Sequence, residues 1–229
     1  MANNIVVYDF YGLPGCGKSV ISHRLAVMLD GKVREVSYVM DHKHSSFLRF
    51  SLKSTYSLLF CLSHRNVAQE LCTLVKKCGY NNKNGGRSQR RNLLYKLYLI
   101  DKAQPTDVAL LFDEGLVQAS ISLAMGGVIS ANEIYSRIVG CLPFKVELRP
   151  VCIDTPIATA LHNMTLRNTN DSRVEQISSQ EEKIAFLDRF QKQLDSLNVQ
   201  PFVKVKVENN ATPEELAKRL NDLISNINI

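Results

Sequence analysis

The chain has 229 residues, 45% of them hydrophobic and 22% charged, and a formal net charge of +6. That size and balance suit one domain that buries its core without disulfide or metal staples. They exclude wholesale disorder, a collagen-like chain and a disulfide miniprotein. No apolar run approaches the roughly 18–20 residues that span a bilayer; Tyr56 to Leu62 is the best. The first residues carry no basic stretch followed by a cleavable apolar run, so a cytoplasmic protein without membrane contact is expected.

The six cysteines, at 16, 61, 72, 78, 141 and 152, include no CxxC pair. Reduced thiols, mostly small core residues, are expected, and a zinc site is not. The charge is uneven. Residues 1–105 hold 16 Lys+Arg against 6 Asp+Glu, whereas residues 106–229 hold 12 against 16. Between His42 and Ile100 there are eleven basic residues and one acid, Glu70. Such a segment is a solvated helical face, a surface for a small anionic substrate, or, less favoured, a surface for nucleic acid. The tract from Lys83 to Arg91 is the basic peak. Two adjacent glycines and no interleaved aromatics make it a flexible loop rather than a base-stacking platform.

In chain order, Ile5 to Phe10 reads as a buried strand ending in a glycine-rich loop. A helix over Val20 to Leu29 follows, with Gly31 as its cap. Val33 to Met40 is a second strand. Ser45 to Cys78 forms two helices broken near Ser63-His64, Asn81 to Arg87 a loop, and Asn92 to Ile100 a helix. Val108 to Phe112 is a buried strand, Leu116 to Met125 a helix stopped by Gly126-Gly127, and Asn132 to Cys141 another helix. Val146 to Ile153 is a strand and Thr155 to Arg167 a helix. The polar stretch Asn168 to Ser172 precedes an amphipathic helix over Gln180 to Leu197. Phe202 to Val207 alternates as a strand. Pro213 to Ile224 is a helix with Thr212 as N-cap and Glu215 at the capping-box position. This alternation predicts a three-layer α/β sandwich around a doubly wound parallel sheet of about five strands, in one domain over 1–229.

Gly12-Leu13-Pro14-Gly15-Cys16-Gly17-Lys18-Ser19 matches GxxxxGK[ST] between a strand and a helix, the context that defines a P-loop. Glycines let successive N–H groups turn toward phosphate oxygens, and the helix N-terminus adds its dipole. Gly12, Gly15, Cys16, Gly17, Lys18, Ser19 and Val20 are therefore the expected nucleotide-binding residues. Lys18 serves the β- and γ-phosphates, and the Ser19 hydroxyl serves Mg²⁺. Cys16 is a small loop residue or an oxidation-sensitive one. Val108 to Asp113 has the Walker B pattern, with Asp113 at the C-terminal edge of a central strand, where ligands of open α/β sheets bind. Asp113 is expected to hold Mg²⁺. Glu114 would orient water in an ATPase, or take the proton of an acceptor hydroxyl in a kinase. No NKxD or DxxG motif and no ABC signature is present, which argues against a GTPase or an ABC ATPase and leans toward ATP.

Three further segments extend the pattern. Ile153-Asp154-Thr155-Pro156 leads into a helix ending at Arg167. Arg167 to Glu175 is a polar, arginine-bearing stretch. Val205 to Leu216 runs from a strand into the last helix. With the P-loop, these resemble the P-loop nucleoside and nucleotide kinases, with thymidylate kinase and the deoxynucleoside kinases the nearest shapes. Leu93-Leu94-Tyr95 to Lys102 is similar to the helix before Walker B in thymidylate kinase.

The resemblance implies a P-loop fold with a helical lid over 155–180 and an acceptor-binding helical region over 42–105. It implies transfer of the ATP γ-phosphoryl group to a small acceptor: a nucleoside, a nucleotide or a sugar-like alcohol. Where that family places Asp-Arg or Glu-Arg, this chain has Asp113-Glu114. Arg167 and Arg173 are the lid candidates, the alternative being ordinary surface arginines. Asp41, just after the second strand, is a candidate base or acceptor ligand, or a loop cap; His42 and His44 are loop residues beside it. Arg49, Arg90 and Arg91 are candidate contacts to an anionic acceptor. Tyr38, Tyr56 and Phe60 are pocket-wall or core residues. The competing reading is an ATPase or switch that binds a macromolecule through the basic segment 42–100.

Overall fold

The computed structural model describes residues 5–36, 45–80, 85–103, 108–143, 145–167, 174–207 and 212–225. The elements run β1 (Ile5–Gly12), α1 (Lys18–Met28), β2 (Val33–Glu35), α2 (Ser46–Ser63), α3 (Arg65–Lys77) and α4 (Gly86–Asp101). After these come β3 (Ala109–Phe112), α5 (Leu116–Ala124), α6 (Ala131–Gly140), β4 (Val146–Asp154), α7 (Ile157–Arg167), α8 (Gln180–Asp195), β5 (Val203–Lys206) and α9 (Pro213–Ser225).

The strands form one parallel sheet in the order β2-β3-β1-β4-β5. β1 lies at its centre and pairs Asp9 with Phe112 of β3 and Gly12 with Ile153 of β4. That central place explains why β1 and β3 are near-continuous apolar runs: a parallel strand is covered on both faces. α1 packs with α9 against β2, β3 and β5, while α5 packs on β1 beside α4, α6 and α8. The core holds Tyr8, Phe10, Phe60 and Phe112, all fully buried.

Serine N-caps start three helices. The side chains of Ser45, Ser130 and Ser179 accept from Leu48, Glu133 and Glu182 N–H groups. The capping box of α9 forms as its sequence predicts: Thr212 N–H donates to Glu215 Oε2 (2.8 Å) and Glu215 N–H to Thr212 Oγ1 (3.2 Å).

Two expectations change. The basic tract is not a loop throughout, because α4 begins at Gly86. Gly85 takes a left-handed φ of 88° as its N-cap, and the Arg and Gln residues that follow are good helix formers. Gly31 does not cap α1, which ends on Leu29; Gly31 lies two residues on, at φ 73°. The second strand is described only over Val33–Glu35, and residues 37–44, with Tyr38, Asp41, His42 and His44, lie outside the described residues. Phe60 is a core residue, one of the two roles expected of it. All six cysteines are free, and no helix among the described residues is long and apolar enough to cross a membrane.

Candidate active site

The loop between β1 and α1 is held from three directions. The Gly12 N–H donates to Gln118 Oε1 of α5 (3.1 Å). Asn163 of α7 donates to Gly15 O (3.0 Å). Gly15 adopts φ 82°, and a Cβ there would sit 2.4 Å from the Ala160 carbonyl oxygen. Only glycine fits a loop pressed this closely on α7. Lys18, 5% exposed, folds back over the loop. Its Nζ donates to Gly12 O (3.1 Å) and Leu13 O (2.9 Å) and lies 3.5 Å from Cys16 Sγ. Cys16 is buried and Val20 is exposed on the first turn of α1.

β3 delivers the acids. Asp113 is 7% exposed, and its Oδ2 accepts from Ser19 Oγ at 2.7 Å. A hydroxyl and a carboxylate oxygen at that separation form a hard-oxygen donor pair of the kind Mg²⁺ takes together with waters and substrate phosphates. No cluster of three His, Cys, Asp or Glu that could hold a metal ion exists among the described residues. Glu114 is exposed at the same sheet edge.

Beneath this turn lies a carboxylate the sequence reading missed. Asp9, at 0% exposure inside β1, accepts from the Leu116 and Val117 N–H groups through Oδ2 (2.7 and 2.9 Å). It thereby closes the N-terminus of α5, and burial pushes its carboxyl up to about 6. Gly115 lies so close that a Cβ would fall 2.2 Å from Asp9 Oδ1. Lys96 of α4 reaches the same place, donating to Gly115 O at 3.4 Å. Burial lowers the pKa of its ammonium, while Glu114, Asp9 and Asp113 act to raise it. Gln118, Asn163, Asp9 and Lys96 belong to no sequence motif; the one available signal was the isolated acid in an otherwise apolar strand.

Of the other candidates, Arg49, Arg90 and Arg91 are half-buried on α2 and α4. Arg91 lies over the Phe50 ring at 4.4 Å, and Arg90 Nε donates to Gly86 O. Tyr56 stacks on Tyr98 with centroids 4.9 Å apart. Glu35, at the end of β2, pairs with His23 of α1 at 2.9 Å. Arg167 closes α7, whereas Asp41, Arg173 and the stretch 168–173 lie outside the described residues. A cavity of about 370 Å³ between α3 and Arg137 of α6 is lined by none of these groups.

A glycine-lysine loop on the central strand, with a carboxylate ending the neighbouring strand, has the strand–loop–helix form of a P-loop fold. No family model matches the sequence. No curated protein matches it significantly. Solved structures do match. Deoxyadenosine kinase from M. mycoides with bound dCTP has a TM-score of 0.52 at 14% identity, over 96% of this chain and 99% of that one. The same enzyme with dCMP and dCDP gives 0.57 at 14% identity, over 97% and 100%. With bound dATP it gives 0.53 at 15% identity, over 98% of both chains. The chain thus shares a deoxynucleoside kinase-like P-loop kinase fold with these structures.

Proposed function

We propose that the protein transfers the γ-phosphoryl group of ATP to a hydroxyl of a small acceptor, a nucleoside first among the candidates. The observation that carries this reading is the Ser19–Asp113 contact beside Lys18, at the C-terminal edge of a sheet folded like the deoxyadenosine kinases. The acceptor oxygen bonds to the γ-phosphorus as the bond to the ADP oxygen breaks. The acceptor proton passes to a carboxylate, Glu114 or Asp41. Lys18 leaves its loop carbonyls to meet the β- and γ-phosphates. Ser19 and Asp113 would hold Mg²⁺, which when bound neutralises phosphate charge. Arg167 and Arg173 close from the 155–180 lid over the transferring group. The 42–105 helices form the acceptor side.

That region also favours a small anionic or polar acceptor over nucleic acid. Arg49, Lys53, Arg90, Arg91 and Lys96 are half-buried on α2 and α4, while Arg65, Lys76, Lys77 and Arg87 are exposed; the half-buried group suits a compact anion better than a phosphate backbone, which needs exposed cations.

The test is ADP release from Mg-ATP with pooled nucleosides, nucleoside monophosphates, sugars and sugar acids, with Lys18→Ala as control. Release with one pool alone, abolished in the control, supports the kinase and identifies its acceptor class. Steady release without any acceptor supports the ATPase reading instead, and Glu114→Gln should then trap ATP.

A further inference from the structure

The P-loop, Walker B pair and lid leave Lys96 without a role, yet three carboxylates act on it. It stands on α4, in the acceptor-side region, and reaches across to the turn that joins β3 to α5. The three carboxylates are Asp9 of β1, and Asp113 and Glu114 of the turn. Lys53 of α2 faces it as a like charge. Around Asp9 itself stand Lys96, the α5 N–H groups, and the phenols of Tyr11 and Tyr135.

The contacts converge on one turn, with Asp9 Oδ1 buried and without a hydrogen-bond partner among the described residues. Lys96 Nζ donates to Gly115 O (3.4 Å). Asp9 takes the next two N–H groups, those of Leu116 and Val117. Asp9 also lies so tightly on Gly115 that no side chain fits there. The turn is gripped on its carbonyl by a cation from α4 and on its N–H groups by an anion from β1. The residue two positions before Gly115 is Asp113, whose carboxylate meets Ser19.

We propose that Lys96 is a positioning residue for the phosphoryl-transfer site. It fixes the Asp113–Gly115 turn against β1, so that Asp113 faces Ser19, and it ties that turn to the acceptor-side helix α4. The proposal rests on the kinase reading for the identity of the site, but not on its acceptor. A half-buried charge of this kind adds little net stability against an apolar substitute, and its best-attested use is to fix one arrangement. Lysine on a flexible stem reaches the Gly115 carbonyl from α4.

The experiment is a Mg²⁺ titration of fluorescent ATP-analogue binding in wild type, Lys96→Met, Lys96→Arg and Lys18→Ala, alongside metal-free nucleotide affinity and thermal melting. Lys96→Met is expected to need about tenfold more Mg²⁺ for half-saturation, the scale of a lost supporting contact at a metal site. Its metal-free nucleotide affinity should be unchanged, and Lys96→Arg should return most of the Mg²⁺ response. Coincident wild-type and Lys96→Met titrations overturn the proposal. So does parallel loss of metal-free binding and melting temperature, which marks a role in the fold alone. If Lys96→Met does not fold, the neutral pair Asp9→Asn/Lys96→Met replaces it; a wild-type Mg²⁺ response there overturns the proposal, and a weakened one supports it. A wild type that binds no nucleotide overturns the kinase reading and this inference together. A wild type that binds, with Lys18→Ala silent and Lys96→Met normal, overturns the inference alone.

Discussion

Ser19 Oγ donates to Asp113 Oδ2 across 2.7 Å, joining two residues 94 positions apart. The contact exists because β3 lies beside β1 in the sheet. The loop that follows one strand and the acid that ends the other therefore share an edge.

Ser19→Ala and Asp113→Asn should each weaken Mg²⁺-dependent nucleotide binding by about tenfold or more, while metal-free nucleotide binding changes little. Calorimetric titration with and without Mg²⁺ reads the difference. Equal losses in both conditions would mean that the pair supports the loop rather than the metal.

Gly15→Ala places a methyl group against the Ala160 carbonyl oxygen at a left-handed φ. The backbone strain and overpacking together should cost about 2–4 kcal/mol. A melting temperature lowered by roughly 5–15 °C, with loss of nucleotide binding, is the expected outcome. An unchanged melting temperature would show that the loop can lift off α7.

Gln118→Leu leaves the Gly12 N–H buried without its acceptor, a cost of about 1–3 kcal/mol. Because Gly12 opens the phosphate loop, nucleotide affinity should fall along with stability. Denaturant titration and nucleotide binding on the same sample check both.

Asp9 gives the fold a pH signature. Its carboxyl stands at about 6 when folded against an ordinary 3.8, so between those values the folded state holds the extra proton. Its contribution then makes stability fall as pH rises through that window, by up to about 3 kcal/mol. Denaturant unfolding from pH 4 to 7 should show this slope in wild type and lose it in Asp9→Asn. An identical slope in the variant would assign it to another group.

The lid arginines can be tested once an acceptor is found. Arg167→Ala and Arg173→Ala should each lower the maximal rate by roughly a hundredfold, the scale of a lost charge-stabilising donor, with stability unchanged. If transfer is unaffected in both, the two residues are ordinary surface arginines.

Much of this architecture was legible before any coordinates. The glycine-lysine loop marks its own strand and helix, because that backbone curl and that charge serve little else. The N-cap at Thr212 is local chemistry, set by residues three apart. The start of α4 was misread because glycine pairs serve both loops and helix caps. Only the φ of Gly85, fixed by its surroundings, separates the two.

The sequence by itself determined the phosphate loop, the acid at the end of β3, the alternation of strands and helices, and most of the helix boundaries. All of these rest on interactions between residues close in the chain. The tertiary structure alone decided that Asp9, Gln118, Asn163 and Lys96 support the loop and the turn. Each is a single polar residue with no spacing to announce it. Its partner lies on another element, 107 positions away for Asp9 and Leu116 and 148 for Asn163 and Gly15. The order of strands in the sheet, set by burial of apolar faces, brings those partners within hydrogen-bond reach.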